Sequence, residues 1–184
     1  MRAFIALELP AAAKARLADA QAHLQPRLHG VRWVNATGLH LTLRFLGDST
    51  PRQIERVTAA LQAATRECPA GTGRLAGLGV FPESERAAPR VLWVRLELPP
   101  PFFALQAACE RAARQAGFDP ERRTFTPHLT LGRWRDRAPR PTLEALDLDD
   151  VALDTVVLYK SELRPSGAVY TALTTFPLAP STPG

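Results

Sequence analysis

A repeated tetrapeptide constrains this chain more than any other feature. His40-Leu41-Thr42-Leu43 and His128-Leu129-Thr130-Leu131 read the same four letters, 88 positions apart in a chain of 184 residues. Leu-Thr-Leu suits any strand, but histidine is scarce, and two of the four histidines head the identical copies. Apolar and β-branched residues make each copy a strand. Strand side chains alternate between faces. Each copy should bury its leucines and present one imidazole and one hydroxyl on the other face. If the two strands face each other, they make a cleft holding two imidazoles and two hydroxyls.

The order of elements around the copies repeats too. A strand over residues 2–9 is followed by Pro10, which opens a helix where its missing N–H costs little. That helix, over 11–28, is alanine-rich and amphipathic, with Leu17, Leu24 and Leu28 near helical spacing. An extended piece at 31–34 precedes the first HLTL strand, which runs to 46. Thr50 N-caps a helix ending at 67. A break at 69–73 leads to a glycine-spaced strand over 75–81 and a polar loop to 89. The second round gives a strand over 90–98, a helix over 102–115 stopped by Gly117, and the second HLTL strand to 134. A short helix is expected over 142–146, one long strand over 151–163, a turn at Pro165-Ser166-Gly167, and a last strand over 169–176. The tail after Pro177 reads as unstructured.

Strand, helix, HLTL strand, helix, strand thus occurs twice, in halves 1–82 and 89–178. The same offset carries Ala3 onto Val91 and Pro51 onto Pro139, as an internal duplication would. No long linker separates the halves. The expectation is one bilobal α+β domain over 1–184, with a pseudo-twofold relation and a central cleft lined by the HLTL strands. A parallel α/β sheet is the alternative, but no strand is followed by a Gly-rich phosphate loop.

Composition removes several function classes. Cys68 and Cys109 have no Cys or His neighbour at metal spacing, so they read as buried free thiols. The apolar run from Ala3 is ended by Glu8, too early for a signal sequence or a membrane span, and the chain reads as cytoplasmic. The formal charge of +5 is almost all arginine, with Lys14 and Lys160 the only lysines. A basic excess is compatible with a polyanionic partner. No GxSxG elbow is present, and Asp and Glu do not gather near His40 or His128, which argues against a two-metal site. His23 and His29 read as surface residues. Trp33, Trp93 and Trp134 read as core or cleft-edge residues, with base stacking as the functional reading.

What remains is acid–base chemistry. Imidazole titrates near neutrality, so one histidine can be charged while the other is neutral. Such a pair supplies a general acid and a general base with no other ionisable group. Thr42 and Thr130 can donate to oxyanions, and nearby arginines can hold phosphate oxygens. A phosphate diester suits that constellation. Arg44 shares the His40 face if its strand stays regular. Arg133 has the opposite parity to His128 and needs a bulge or a long reach to touch phosphate.

Paired H-x-T-x motifs half a chain apart resemble the two-histidine phosphoesterase superfamily. MRAFIALELP at 1–10, RWV at 32–34, LHLTLRFLG at 39–47 and GLGVFP at 77–82 resemble its RNA 2′,3′-cyclic phosphodiesterase branch, historically called 2′-5′ RNA ligases. So do PRVLWV at 89–94, FTPHLTLGR at 125–133, LYKSEL at 158–163 and the closing 170–178. The resemblance spans essentially the whole chain. Thr126 departs from it, standing where a basic residue is expected before Pro-His. The resemblance implies a bilobal fold of two antiparallel sheets with helices packed outside, hydrolysis of a 2′,3′-cyclic phosphate on RNA to a 2′-phosphate without metal or cofactor, and a weak reversible 2′-5′ ligation. It implies His40 as proton donor to the departing 3′-oxygen, His128 as the base that activates water, and Thr42 and Thr130, with Arg44 and Arg133, on the phosphate. Expected partners are RNA or nucleotides bearing a 2′,3′-cyclic phosphate, tRNA halves among them, for a monomer that needs no membrane. The competing class is a non-catalytic nucleotide- or RNA-binding module on the same fold. Two intact titratable motifs are more than binding alone requires.

Overall fold

In a computed structural model of the chain, which describes residues 1–145, 147–165 and 167–181, nine strands and three helices form two antiparallel sheets. In chain order these are β1 (Arg2–Glu8), α1 (Ala11–Leu24), β2 (Val31–Trp33), a 3-10 turn (Ala36–Gly38), β3 (His40–Asp48), α2 (Pro51–Glu67) and β4 (Gly71–Phe81). They continue with β5 (Val91–Glu97), α3 (Pro100–Gln115), β6 (His128–Trp134), β7 (Asp147–Leu153), β8 (Thr155–Arg164) and β9 (Gly167–Pro177). One sheet has the order β3-β1-β8-β9, the other β2-β6-β5-β4-β7. No helix among the described residues is long and apolar enough to cross a membrane.

The lobes are not the sequence halves. β2 and β4 of the first half join the sheet of β5 and β6, while β8 and β9 of the second half join the sheet of β1 and β3. The expected long strand over 151–163 is therefore two strands. The chain leaves one sheet at Leu153 and enters the other at Thr155. Each lobe thus depends on both halves of the sequence.

Local chemistry explains most boundaries. Thr50 and Gln53 close a reciprocal capping box at the start of α2, as the Thr50-Pro51 signal predicted. α1 stops at Leu24, short of 28, because Pro26 has no N–H to continue it. Leu28 is buried all the same. β4 begins at Gly71, inside a stretch expected to be a break. A Cβ on Gly73 would stand 3.0 Å from the Glu97 carbonyl and from the Leu153 and Leu96 side chains, so the glycines let a crowded central strand fit between β5 and β7.

Three further expectations are corrected or bounded. Residues 142–145 are not helical, and Leu146 lies outside the described residues. At the expected turn Ser166 likewise lies outside them, and Pro165 and Gly167 flank a β8–β9 hairpin. The tail does not leave the fold at Pro177. Leu178 is buried and donates its N–H to the Asp154 carbonyl at 2.7 Å, and Ala179 bridges to Pro69.

Leu41, Leu43, Leu129 and Leu131 are buried, as alternation required, each burial contributing about 1.5–3 kcal/mol. α2 and α3 pack together, and α3 reaches β3 through Gln106 Nε2, which donates to the Leu43 carbonyl at 3.4 Å. α1 serves the other sheet. Its buried Gln21 amide donates to the carbonyls of Val34 at 2.8 Å and Leu131 at 2.9 Å. With helices on the leucine sides, the polar faces of the HLTL strands are left to the other side, and β3 of one sheet lies near β6 of the other.

Strand pairing reveals the duplication and adds a device that the sequence hides. On β3, Thr42 pairs with Ala6 and Arg44 with Ile5; on β6, Thr130 pairs with Trp93 and Gly132 with Leu92. One residue on each HLTL strand is skipped at the same place, which is a β-bulge. Phe4 pairs with Phe45 as Val91 pairs with Arg133, so Phe4, not Ala3, is the equivalent of Val91.

Candidate active site

Both histidines are tethered in the same way. The 3-10 turn, capped by Asn35 accepting from the Thr37 N–H at 3.0 Å, delivers the Gly38 carbonyl 2.7 Å from His40 Nδ1. In the other lobe the loop before β6 delivers the Thr126 carbonyl 2.6 Å from His128 Nδ1. A carbonyl only accepts, so each Nδ1 carries the proton. Nε2 is then the working atom in both rings, a base when the imidazole is neutral and an acid when it is charged.

The surroundings of the two rings differ. His40 lies in an aromatic box, stacked on Phe4 at 4.7 Å, with Tyr170 edge-on at 5.2 Å and Tyr159 at 6.1 Å. Directly across the β1–β3 ladder stands Glu8, whose carboxylate accepts from the Tyr159 hydroxyl and pairs with Lys14. Burial holds the His40 pKa below its ordinary value, and the Gly38 hydrogen bond and the Glu8 charge work against that fall. His128 meets the edge of Phe81 at 5.0 Å and Trp93 at 6.1 Å. Burial lowers its pKa as well; the Thr126 hydrogen bond resists, while the Arg133 charge lowers it further. Burial also raises the phenol pKa of both tyrosines, with Glu8 adding to the rise at Tyr159.

Thr42 and Thr130 are half-buried on the same strand faces as their histidines. The bulges decide the arginines, and they reverse the parity reading of Arg44. Arg44 directly follows the skipped Leu43, so it falls on the leucine face and turns to the helix side, where it is buried. Its guanidinium pairs with Glu110 on α3 and donates to the Phe45 and Asp119 carbonyls. The structure therefore gives Arg44 a packing role away from the histidines. Arg133 lies beyond the matching bulge, which supplies the shift that it needs. Its charge acts on both His128 and Tyr170, and Tyr170 packs on His40, so Arg133 links the two imidazole environments.

The remaining candidates fall outside the cleft chemistry. Cys68 and Cys109 are buried free thiols whose pKa values are raised by burial, to about 12 for Cys109, so neither is a ready nucleophile. His23 and His29 are exposed. Trp134 donates to the His29 carbonyl at 3.1 Å. Trp93 is buried beside His128 with its indole N–H unpartnered, its ring lying where a Cβ on Gly79 would be. No group of three or more His, Cys, Asp or Glu residues is gathered to hold a metal among the described residues. Glu8, Tyr159 and Tyr170 were missed because they reach His40 through strand pairing, the two tyrosines across more than half the chain, and nothing local marks them.

The chain is similar in sequence and fold to proteins already known. A Methanothermobacter thermautotrophicus protein named RNA 2′,3′-cyclic phosphodiesterase is 30% identical over 185 residues, covering 97% of this chain and 99% of that one. The crystal structure of TT0787 of Thermus thermophilus superposes with a TM-score of 0.88 at 30% identity, over 99% of this chain and 100% of that one. Escherichia coli LigT complexed with 3′-AMP matches with a TM-score of 0.81 at 28% identity, over 96% and 97%. The family model described as the 2′-5′ RNA ligase superfamily matches residues 8–163, a span that contains both HLTL strands. The chain belongs to the 2′-5′ RNA ligase superfamily.

Proposed function

We propose that this chain hydrolyses 2′,3′-cyclic phosphate ends of RNA to 2′-phosphates, with His40 as general acid and His128 as general base. The observation that carries this reading is the matched pair of Nδ1 tethers, which leaves two equivalent Nε2 atoms for substrate. The relative named RNA 2′,3′-cyclic phosphodiesterase and the LigT complex with 3′-AMP support the substrate class.

In the proposed step, neutral His128 Nε2 takes a proton from water as the water oxygen attacks phosphorus. The P–O3′ bond breaks in line, its electron pair goes to O3′, and charged His40 Nε2 protonates that oxygen. The 2′-phosphate remains. Thr42, Thr130 and Arg133 hold the nonbridging oxygens as charge builds on them. Electrostatics support the division of roles. The anionic partner Glu8 favours the charged form at His40, and the cationic neighbour Arg133 favours the neutral form at His128. Two imidazoles carry both protons, so the step needs no metal. The reverse reaction, 2′-5′ joining of RNA ends, uses the same groups. Within this reading the chain works in the cytoplasm, as a monomer, on RNA or nucleotides with cyclic phosphate ends, tRNA halves included.

The test is hydrolysis of an oligoribonucleotide ending in a 2′,3′-cyclic phosphate, with and without excess EDTA. The expected product is the 2′-phosphate at an unchanged rate in chelator. A 3′-phosphate product would reverse the leaving group, and loss of activity restored by a divalent ion would replace the two-imidazole step.

A further inference from the structure

Arg32 on β2 is the direct cross-strand partner of Arg133 on β6, so both side chains stand on one face about 5 Å apart at the backbone. Like charges placed directly opposite destabilise a sheet. Among the described residues neither guanidinium is paired with a carboxylate. Arg32 has only the Pro165 carbonyl at 3.4 Å, and the nearest acid on that hairpin, Glu162, is engaged by Lys160 at 3.1 Å. An uncompensated, exposed pair of this kind suits an anion between or beyond the two guanidinium groups.

The proposed chemistry fixes on which side such an anion lies. In an in-line displacement the attacking water and the departing O3′ occupy opposite sides of phosphorus. O3′ belongs to the terminal ribose, so that ribose, and the chain leading to it, lies on the side of the acid, His40. Arg32 is on that side as well. Its guanidinium reaches the β8–β9 hairpin at Pro165 and Gly167, and β9 carries Tyr170, which packs edge-on against His40. Gly38, whose carbonyl tethers His40, lies under the same Tyr170 ring, 3.5 Å from where its Cβ would be.

The geometry points to Arg32 as a subsite for the phosphodiester on the 5′ side of the terminal nucleotide, beyond the reacting phosphate at Arg133. Arg32 is thus a specificity residue that favours RNA ends over single nucleosides. This rests on the proposed function and its assignment of His40 as the acid. The site takes an RNA backbone phosphate and reads no base, because a lone guanidinium on phosphate positions without specifying.

The experiment compares two substrates with the same base: a trinucleotide ending in a 2′,3′-cyclic phosphate, and a nucleoside 2′,3′-cyclic phosphate, which has no 5′ phosphate. Arg32→Gln should raise KM for the trinucleotide roughly 5- to 20-fold and leave the nucleoside substrate within about twofold. The log–log salt dependence of trinucleotide binding should lose about 0.7 in slope, the value for one phosphate on a single strand. Arg32→Lys should recover most of the loss. Equal losses on both substrates would mean that Arg32 merely latches the hairpin, and no loss on either would leave no subsite; each result overturns the inference while the proposed function stands. A wild-type protein that hydrolyses neither substrate overturns both.

Discussion

The first and second HLTL strands bulge at the same position and diverge immediately afterwards. On β3 the residue after the skipped Leu43 is Arg44, which turns outward to Glu110 on α3. On β6 the residue after the skipped Leu131 is Gly132, where any side chain would collide with Val31, 2.4 Å from the Cβ position. Beyond the bulge β3 carries exposed Phe45, packed near Phe4, and β6 carries Arg133. Opposite the histidines stand Glu8 in one lobe and Arg95 in the other. The backbone was kept in duplicate and the charges were not. Shared backbone gives both imidazoles the same tautomer, while the unshared side chains give them different work. A symmetric cleft with symmetric charges would have no reason to hold one imidazole protonated and the other neutral.

Removing either imidazole should give the largest effect. His40→Ala and His128→Ala should each lower turnover by about 10²–10⁴-fold with the fold retained. The comparison sharpens in the pH dependence of the residual rate. His128→Ala should lack the acidic limb, and His40→Ala the alkaline one. The opposite pattern would exchange the two roles, and near-full activity in either variant would end the acid–base reading.

Next in size are the residues that follow each histidine. Thr42→Ala and Thr130→Ala should each cost about 10- to 10³-fold in turnover, as the loss of one oxyanion donor does. The arginines should separate cleanly. Arg133→Ala should lower kcat/KM roughly 10- to 100-fold with an unchanged melting temperature. Arg44→Ala should do the reverse. It strands the Glu110 carboxylate in a site where the Arg44 side chain is 7% exposed, so about 3 kcal/mol of stability should go with kcat near the wild-type value. Thermal melts and steady-state kinetics on the same preparations decide it, and a kinetic defect in Arg44→Ala without a stability loss would return Arg44 to the phosphate.

Those arginines also mark the limit of what the sequence could say. The HLTL copies, their burial pattern and the cap at Thr50 were legible because each is written in neighbouring residues, whereas the antiparallel sheets came from the family resemblance. A bulge is not. It arises where strands with a mismatched count of residues must pair, and it exchanged the faces predicted for Arg44 and Arg133 alike. Strand exchange between the lobes was hidden for a similar reason, since β4 and β8 choose partners by long-range packing. The same pairing brings Tyr159, Tyr170 and Glu8 around His40 from three strands, and places Arg32 beside Arg133. Residues 142–145 have the composition of a helix start but form no regular element, with Glu144 drawn to Arg27 in the turn after α1.

The smallest predicted effect tests the charge difference between the lobes. His40 is faced by Phe4 and Glu8 from β1, the Gly38 carbonyl, Lys14 from α1, Tyr159 from β8 and Tyr170 from β9. Only Glu8 contributes a negative charge among these, and Lys14 opposes it. In Glu8→Gln the His40 pKa, already below the ordinary value of about 6.5, should fall further, because the one negative charge that favours the imidazolium is gone. The alkaline limb of kcat/KM reports loss of the acid, so it should move to lower pH while the acidic limb stays. A bound phosphate diester favours charged imidazole and should carry the kcat profile back upward. Stability gives an independent sign. Because folded His40 and His128 have lowered pKa values, the unfolded chain takes up protons first as pH falls. Their contribution is therefore complete above about pH 6.5 and is lost as pH falls through the folded pKa values, and in Glu8→Gln the loss should continue to lower pH. Titration of the His40 ring protons by NMR measures the shift directly. An unmoved His40 titration in Glu8→Gln would mean that Glu8 only orients Tyr159 and Lys14, and the two lobes would then differ in shape around their histidines and not in charge.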